Sequence, residues 1–260
     1  MTRSGRRPDR MGHSIFMDDM RIEFLGDAAL LLRLGERIDA AINRRVHAYA
    51  ALLRAQAPNW LIDITPAYSC LALHVDVARI DVAHVSGALA SRGDPLGVAR
   101  EWLADWLARS PVEVDNGAAR TVEVPVAYGG DNGPDLAAVA TQACICVDEV
   151  VSRHSCAEYS VAMLGFAPGF SYLLGLDASL VMPRLATPRT RVAAGSVGIG
   201  GAQTGIYPNA GPGGWRLIGR TPLRLFDAQR DPPTLLRAGD RVRFIAIDAA
   251  TFDEMNAHPQ

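Results

Sequence analysis

The period of the apolar positions changes near residue 110, and that change divides the chain. Before it, residues 21–24 and 29–34 read as two short strands around a turn at Gly26-Asp27. Ile38, Ala41, Ile42, Val46, Tyr49, Leu52 and Leu53 then recur at helical spacing until Pro58 closes the run. Residues 60–64 and 71–75 ("LALHV") predict two more strands, with "PAYSC" (66–70) as the bend between them. Leu96, Ala99, Leu103, Trp106 and Leu107 share a second helical face. The order strand, strand, helix, strand, strand, helix predicts a small α+β sandwich over 20–109, with its helices on one sheet face.

Residues 110–120, "SPVEVDNGAAR", interrupt the periodicity and read as a linker. Beyond them Val122, Val124 and Val126 alternate as a strand, and "GPDLAAVATQA" and "VDEVVSRHS" predict two short helices. "YSVAML" (159–164) and "RVRFIAI" (241–247) are strand-like, and the intervening apolar runs are short and broken by Gly and Pro. Such a texture predicts a β-barrel or sandwich over 121–250. Residues 1–19 are expected to be a disordered extension and 251–260 a C-terminal tail.

The 260-residue chain is 49% apolar, enough to bury a sizeable core, and its formal net charge is −2. Near-neutral charge weighs against nucleic acid or anionic membrane as a partner. No apolar run approaches the ~20 residues that span a bilayer, and no apolar segment follows the basic start, so a cytoplasmic location is expected. Cys70, Cys144, Cys146 and Cys156 form no zinc spacing and are expected to be buried, inert thiols; no metal is expected. All 26 basic residues are arginine. A chain without lysine has no P-loop lysine, no Schiff-base amine and no attachment point for biotin.

"AAGSVGIGGAQTGIYP" (193–208) holds five glycines, and twelve of the chain's 24 lie between 165 and 219. The cluster is either a phosphate cradle or a set of tight strand connections. A cradle needs a helix after it, yet neither "QTGIYP" nor "GPGGWRLIG" has helical apolar spacing, so turns and barrel corners are expected. Backbone amides facing an anion are compatible with the same bends.

"GFAPGFSYLLGL", "PRLATPRTRVAAGSVGIGGAQTGIYP" and "GPGGWRLIGRTPLRLFD" resemble the B-subunit family of 5-oxoprolinase, which includes the sporulation-kinase inhibitor KipI. They are also similar to the segment called allophanate hydrolase subunit 1, part of the carboxyltransferase domain of urea carboxylase. The likeness covers roughly residues 22–248. Two departures are visible. Ser69 stands where the family has Arg, and Ala193 stands where it has Pro.

The resemblance implies an N-terminal α+β domain followed by a cyclophilin-like β-barrel. It also implies partners, the KipA-type C subunit of 5-oxoprolinase and its A subunit, with which 5-oxoproline is opened to L-glutamate at the expense of ATP. Two alternatives are a KipI-like inhibitory module for a sensor histidine kinase and a component of a biotin-dependent urea or amide carboxyltransferase. Prolyl isomerase activity rests on barrel analogy alone. For the lactam reaction, Arg184, Arg189, Arg191, Arg216 and Arg220 are candidate anion clamps, against a solvated barrel surface. His154 and Glu158 are the candidate acid/base residues, although a histidine ending a helix is also a natural dipole partner. Phe166, Phe170 and Tyr172, around Pro168-Gly169, frame either a core turn or an aromatic groove. Gln203, Thr204, Tyr207 and Trp215 are placed beside it as substrate contacts. Ala167-Pro168 is a candidate cis bond.

Overall fold

A computed structural model describes residues 15–17, 20–81, 94–110 and 119–257. The chain divides into two compact units between Asp115 and Asn116. Among the described residues no helix is long and apolar enough to cross a membrane.

In the first unit β1 (Ile15–Met17), β2 (Met20–Phe24), β3 (Ala29–Arg33), β4 (Leu61–Pro66) and β5 (Cys70–Val75) form one sheet in the order β1-β2-β3-β5-β4. All its pairings are antiparallel. Two helices, α1 (Ala40–Ala55) and α2 (Pro95–Arg109), share its core: Leu30, Leu32, Leu71 and Leu73 meet Val46, Tyr49, Leu53, Leu96 and Leu103. Helix α1 starts where the Asp39 carboxylate accepts the amides of Ala41 and Ile42 at 2.8 and 3.0 Å. Asn43 donates to the carbonyls of Ala67 and Tyr68, both at 3.0 Å, and so ties the helix to the "PAYSC" bend.

The second unit comprises β6 (Thr121–Tyr128), α3 (Leu136–Ala143), α4 (Val147–Cys156), β7 (Tyr159–Leu164), β8 (Ser171–Leu174), β9 (Arg189–Val192), β10 (Ser196–Gly200), β11 (Gln203–Ile206), β12 (Gly211–Gly213), β13 (Arg216–Arg220), β14 (Arg241–Ile247) and α5 (Ala249–Ala257). Seven strands close into a barrel, in the order β10-β11-β8-β7-β14-β6-β13, while β9 and β12 pair separately. The β6–β14 pairing is parallel and the other barrel pairings are antiparallel. Arg120 forks onto Asp240 and also donates to the Leu235 carbonyl at 2.7 Å, which fixes the start of that parallel pair. The glycine-rich segment is the β10–β11 hairpin, turning at residues 201–202 with no helix behind it.

Aliphatic side chains fill the barrel, and a chain of hydrogen-bonded polar residues runs among them. His154, from α4, is fully buried and stacks on Phe244 at 4.6 Å. Its Nδ1 lies 2.8 Å from the Tyr128 hydroxyl and its Nε2 lies 3.0 Å from Thr204 Oγ1. Thr204 uses its one hydroxyl proton on the Gly198 carbonyl at 3.0 Å, so it accepts from Nε2–H. Nδ1 therefore accepts from Tyr128. The ring is neutral and both nitrogens are engaged. Burial pushes its pKa down to about 3. The Tyr159 hydroxyl donates to the His154 carbonyl at 2.9 Å.

A third apolar cluster lies on the outside of the barrel wall: Phe170, Val192, Tyr207, Trp215 and Leu217. Side chains alternate along a strand. Val197, Ile199 and Thr204 point inward, so Gly198, Gly200 and Gly205 present bare backbone outward. Trp215 lies on that surface; a Cβ at Gly200 would sit 2.5–2.6 Å from its ring atoms.

Several expectations need correction. Residues 15–17 pair as a strand, while the rest of the expected 1–19 extension lies outside the described residues. Of the expected linker only 110, 119 and 120 are described. The expected C-terminal tail begins inside α5, whose Phe252 is buried. Cys144, Cys146 and Cys156 are exposed and Cys70 half-buried, because the first three sit at the ends of short surface helices. The cis peptide bond among the described residues is Asp231-Pro232, not Ala167-Pro168.

Two outcomes follow for stability. The unfolded chain protonates His154 below about pH 6.5, whereas the folded chain holds out to about pH 3. The unfolded state thus binds more protons in that window, and stability falls as pH drops through it, by about 1.4 kcal/mol per pH unit. Denaturant titrations at pH 7, 5.5 and 4.5 are expected to show a slope shallower by this amount in His154→Gln than in the parent chain. Gly200→Ala is expected to destabilise by about 1–3 kcal/mol through overpacking against Trp215, read by denaturant midpoint and near-ultraviolet dichroism.

Candidate functional site

The aromatic cluster floors an open cleft of about 270 Å³. Phe170 is its centre: its ring makes edge contacts with Tyr172 at 4.8 Å, Tyr207 at 5.1 Å, Phe166 at 5.4 Å and Trp215 at 5.6 Å. Such T-shaped arrangements set the positive ring edges on negative faces and lock each ring's orientation. Leu185, Pro188, Pro212, Gly213 and Gly214 complete the lining, and Arg184 is its one charged residue. The volume falls below the ~300–1,000 Å³ usual for drug-sized ligands, which suits a small ring or a single side chain.

The supports of this floor are polar and lie behind it. Asp135 accepts from Arg189 at 2.8 Å and from the Leu217 amide at 2.7 Å. Arg189 also reaches the Trp215 carbonyl at 3.5 Å. The Tyr207 hydroxyl takes a backbone hydrogen bond from Trp215 and fits closely against Gly213, where a Cβ would lie 2.6 Å from it. Burial raises the Tyr207 pKa; that Trp215 bond and the charges of Arg184 and Arg189 pull the other way.

Phe166 stands apart from the rest. Its backbone is left-handed, at φ 68°, and its side chain is 69% exposed. Bulky residues rarely adopt that conformation, and its cost of about 1–3 kcal/mol is met by no burial of the ring. The turn sets Phe166 on the rim, in edge contact with Phe170 and Tyr207.

Of the residues nominated from the sequence, the fold brings Phe170, Tyr172, Tyr207 and Trp215 to one cleft. Arg189 lies behind the floor as a structural clamp. His154 and Thr204 are sealed inside the barrel and line no part of the cleft. Glu158 is exposed beyond the end of α4 and is not brought together with the His154 ring. Arg191 is exposed, and Gln203 is half-buried on the wall. Arg220 donates to the Ala194 carbonyl at 2.8 Å and lies over Phe252 at 5.6 Å. Arg216 reaches back to the Pro183 carbonyl at 3.4 Å. Sequence reasoning did not rank Asp135 or Leu185. Asp135 carried one signal, a carboxylate after "GP" at a helix start, but its partners are 54 and 82 residues away.

Among the described residues no cluster of His, Cys, Asp and Glu is arranged to hold a metal. The family model described as "Carboxyltransferase domain, subdomain C and D" matches residues 20–236. The 5-oxoprolinase B subunit of Bacillus subtilis (strain 168) is 43% identical over 87% of this chain and 92% of its own length. That of Escherichia coli O157:H7 is 41% identical over 88% and 97%. The crystal structure of TTHA0988 superposes with a TM-score of 0.69 at 38% identity over 85% of this chain, which spans 40% of that longer one. A family model over most of the chain, and relatives matched nearly end to end, agree: the chain belongs to the B-subunit family of 5-oxoprolinase, within the wider group that carries carboxyltransferase subdomains C and D.

Proposed function

We propose that the chain is the B subunit of a heteromeric, ATP-dependent 5-oxoprolinase and that its aromatic cleft forms one face of a composite site. One observation carries this reading. The cleft has rings to bind with and a cation to orient with, yet none of its lining residues is a histidine, carboxylate or cysteine that would exchange a proton with a lactam. Tyr172 and Tyr207 carry hydroxyls, but no histidine or carboxylate stands beside them in the lining to take up a proton, so the cleft is half of a site. The names of the matched relatives supply the rest, because a B subunit implies companion chains.

The acid/base chemistry therefore falls to the partners, the A and C subunits of such an enzyme. His154 is neutral, its Nε2 proton is already given to Thr204 and its Nδ1 accepts from Tyr128, so we assign it to the barrel and not to the reaction. ATP is also assigned to another chain. The glycine-rich segment is a hairpin without a helix to aim at phosphate, and the chain has no lysine.

Reconstitution tests this. Glutamate release from 5-oxoproline is expected only when this chain, the A and C subunits and ATP are all present. Brisk turnover by this chain alone would overturn the composite site, and none in the complete mixture would overturn the substrate. Phe166→Gly separates binding from folding. It removes an exposed ring and relieves the left-handed backbone, so the thermal midpoint is expected to hold or rise. Turnover by the assembled enzyme is expected to fall about fivefold or more, from one lost aromatic contact of about 1 kcal/mol. Unchanged turnover would remove the cleft from the site.

A further inference from the structure

The arginines of this unit differ in what already holds them. Arg120 is locked on Asp240, Arg189 on Asp135, Arg153 on Glu149, Arg224 on Asp227 and Arg243 on Glu123. Arg216 and Arg220 donate to main-chain carbonyls. Arg184, like Arg191, Arg237 and Arg241, forms no ion pair with a carboxylate among the described residues, and of these four it is the one that lines the cleft. Its Cζ lies 5.7 Å from the Trp215 ring centroid, at the cleft. A stacked guanidinium keeps its in-plane donors open, and those donors match a carboxylate fork.

The segment bearing Arg184 is also held in place. Met182 and Gly201 exchange amide hydrogen bonds at 3.2 and 2.8 Å. The Pro183 carbonyl accepts from Arg216, and the Leu185 amide donates to the Gly214 carbonyl at 2.7 Å. Three neighbours are thus tied to the barrel hairpin, the β13 start and the loop before Trp215. The side chain alone is left exposed. A backbone so anchored beneath a free cation is a preorganised anion site.

We infer that Arg184 is the carboxylate anchor of the cleft, which takes a compact ring with an anionic carboxylate and an apolar flank. The ring's methylenes lie against Trp215, Phe170 and Phe166, and the carboxylate pairs with Arg184. The opposite edge of the ring then faces out of the cleft. In 5-oxoproline the N1–C5 lactam lies across the ring from the C3–C4 methylenes, so with the methylenes against the rings the lactam is presented to whatever the partner chains bring. This rests on the proposed 5-oxoprolinase reading for the identity of the ligand, though not for the geometry of the anchor.

The test has two arms. In the assembled three-component enzyme, Arg184→Gln is expected to raise KM for 5-oxoproline on the order of 10- to 100-fold, the loss of a charge-assisted hydrogen-bonded pair, with kcat changed far less. Arg184→Lys is expected to recover part of the loss. Arg243→Gln, which removes a remote surface charge, is expected to leave KM unchanged. In the second arm the full-length chain alone is titrated by calorimetry with 5-oxoproline and with 2-pyrrolidinone, the same lactam without a carboxylate. Arg184→Gln is expected to weaken the first ligand by the same factor and leave the second within about twofold.

An unchanged KM and unchanged binding in Arg184→Gln would overturn the anchor while leaving the 5-oxoprolinase reading intact. Arg184-dependent binding without turnover in the complete wild-type mixture would support the anchor and sink that reading. If Arg184→Gln instead abolished co-purification with the A and C subunits at unchanged KM, Arg184 would be grasping a partner's carboxylate and the inference would fall.

Discussion

A tryptophan ring resting on bare strand backbone is the constraint on which the second unit's aromatic cleft depends. Trp215 reaches the barrel wall because residues 198, 200 and 205, three outward positions of β10 and β11, carry no side chain. With the ring down, Phe170 and Tyr207 stand edge-on around it, and the Tyr207 hydroxyl settles on the Trp215 main chain. With the ring lifted by a single methyl group, those edges lose their faces and the cleft loses its floor. Glycine here serves close approach rather than phosphate recognition. The clustering that suggests a nucleotide loop on paper is the surface on which an indole is seated.

Arginine carries the unit's remaining polar architecture. Its planar fork suits main-chain carbonyls and carboxylates alike, and the fold uses both: Asp240 and the Leu235 carbonyl for Arg120, Asp135 and the Trp215 carbonyl for Arg189. Each such residue joins segments distant in sequence, so its removal would leave a buried carboxylate unpaired. A chain built this way has many cations and few that are available. Availability, more than charge, distinguishes a binding arginine from a structural one.

Much of the fold was legible in the sequence. The helices α1 to α4 and strands β2 to β7 and β14 carry their own periodicity, and the break near 110 marks the change of architecture. The short strands β8 to β13 were legible only as a texture, since runs of three to five residues interrupted by glycine have no period of their own to read. The site was half legible. Aromatic residues spaced around "GFAPGF" allowed a core turn or a groove, and the fold makes both of them, with Phe170 buried and Phe166 left on the rim. His154 and Thr204 misled for the opposite reason. A polar residue at a strand or helix position looks the same on paper whether it faces solvent or core, and 3.0 Å hydrogen bonds across fifty residues decide which. Arg189 likewise looks free until Asp135, 54 residues earlier, folds against it.

The inner and outer faces of one wall are linked by this arrangement. Thr204 and Gly205 are neighbours on β11, and the first points into the barrel while the second underlies Trp215. The Thr204 hydroxyl donates across to Gly198 on β10, and His154 donates to Thr204, so the two strands that form the floor are cross-braced from within. A chain of directed hydrogen bonds in an apolar interior tolerates little displacement, because any lost member leaves a buried donor or acceptor without a partner. The braced strands therefore keep a fixed surface toward the indole. The polar residues inside act on the cleft by holding its backbone still, and the aromatic residues outside turn that stillness into a shaped face.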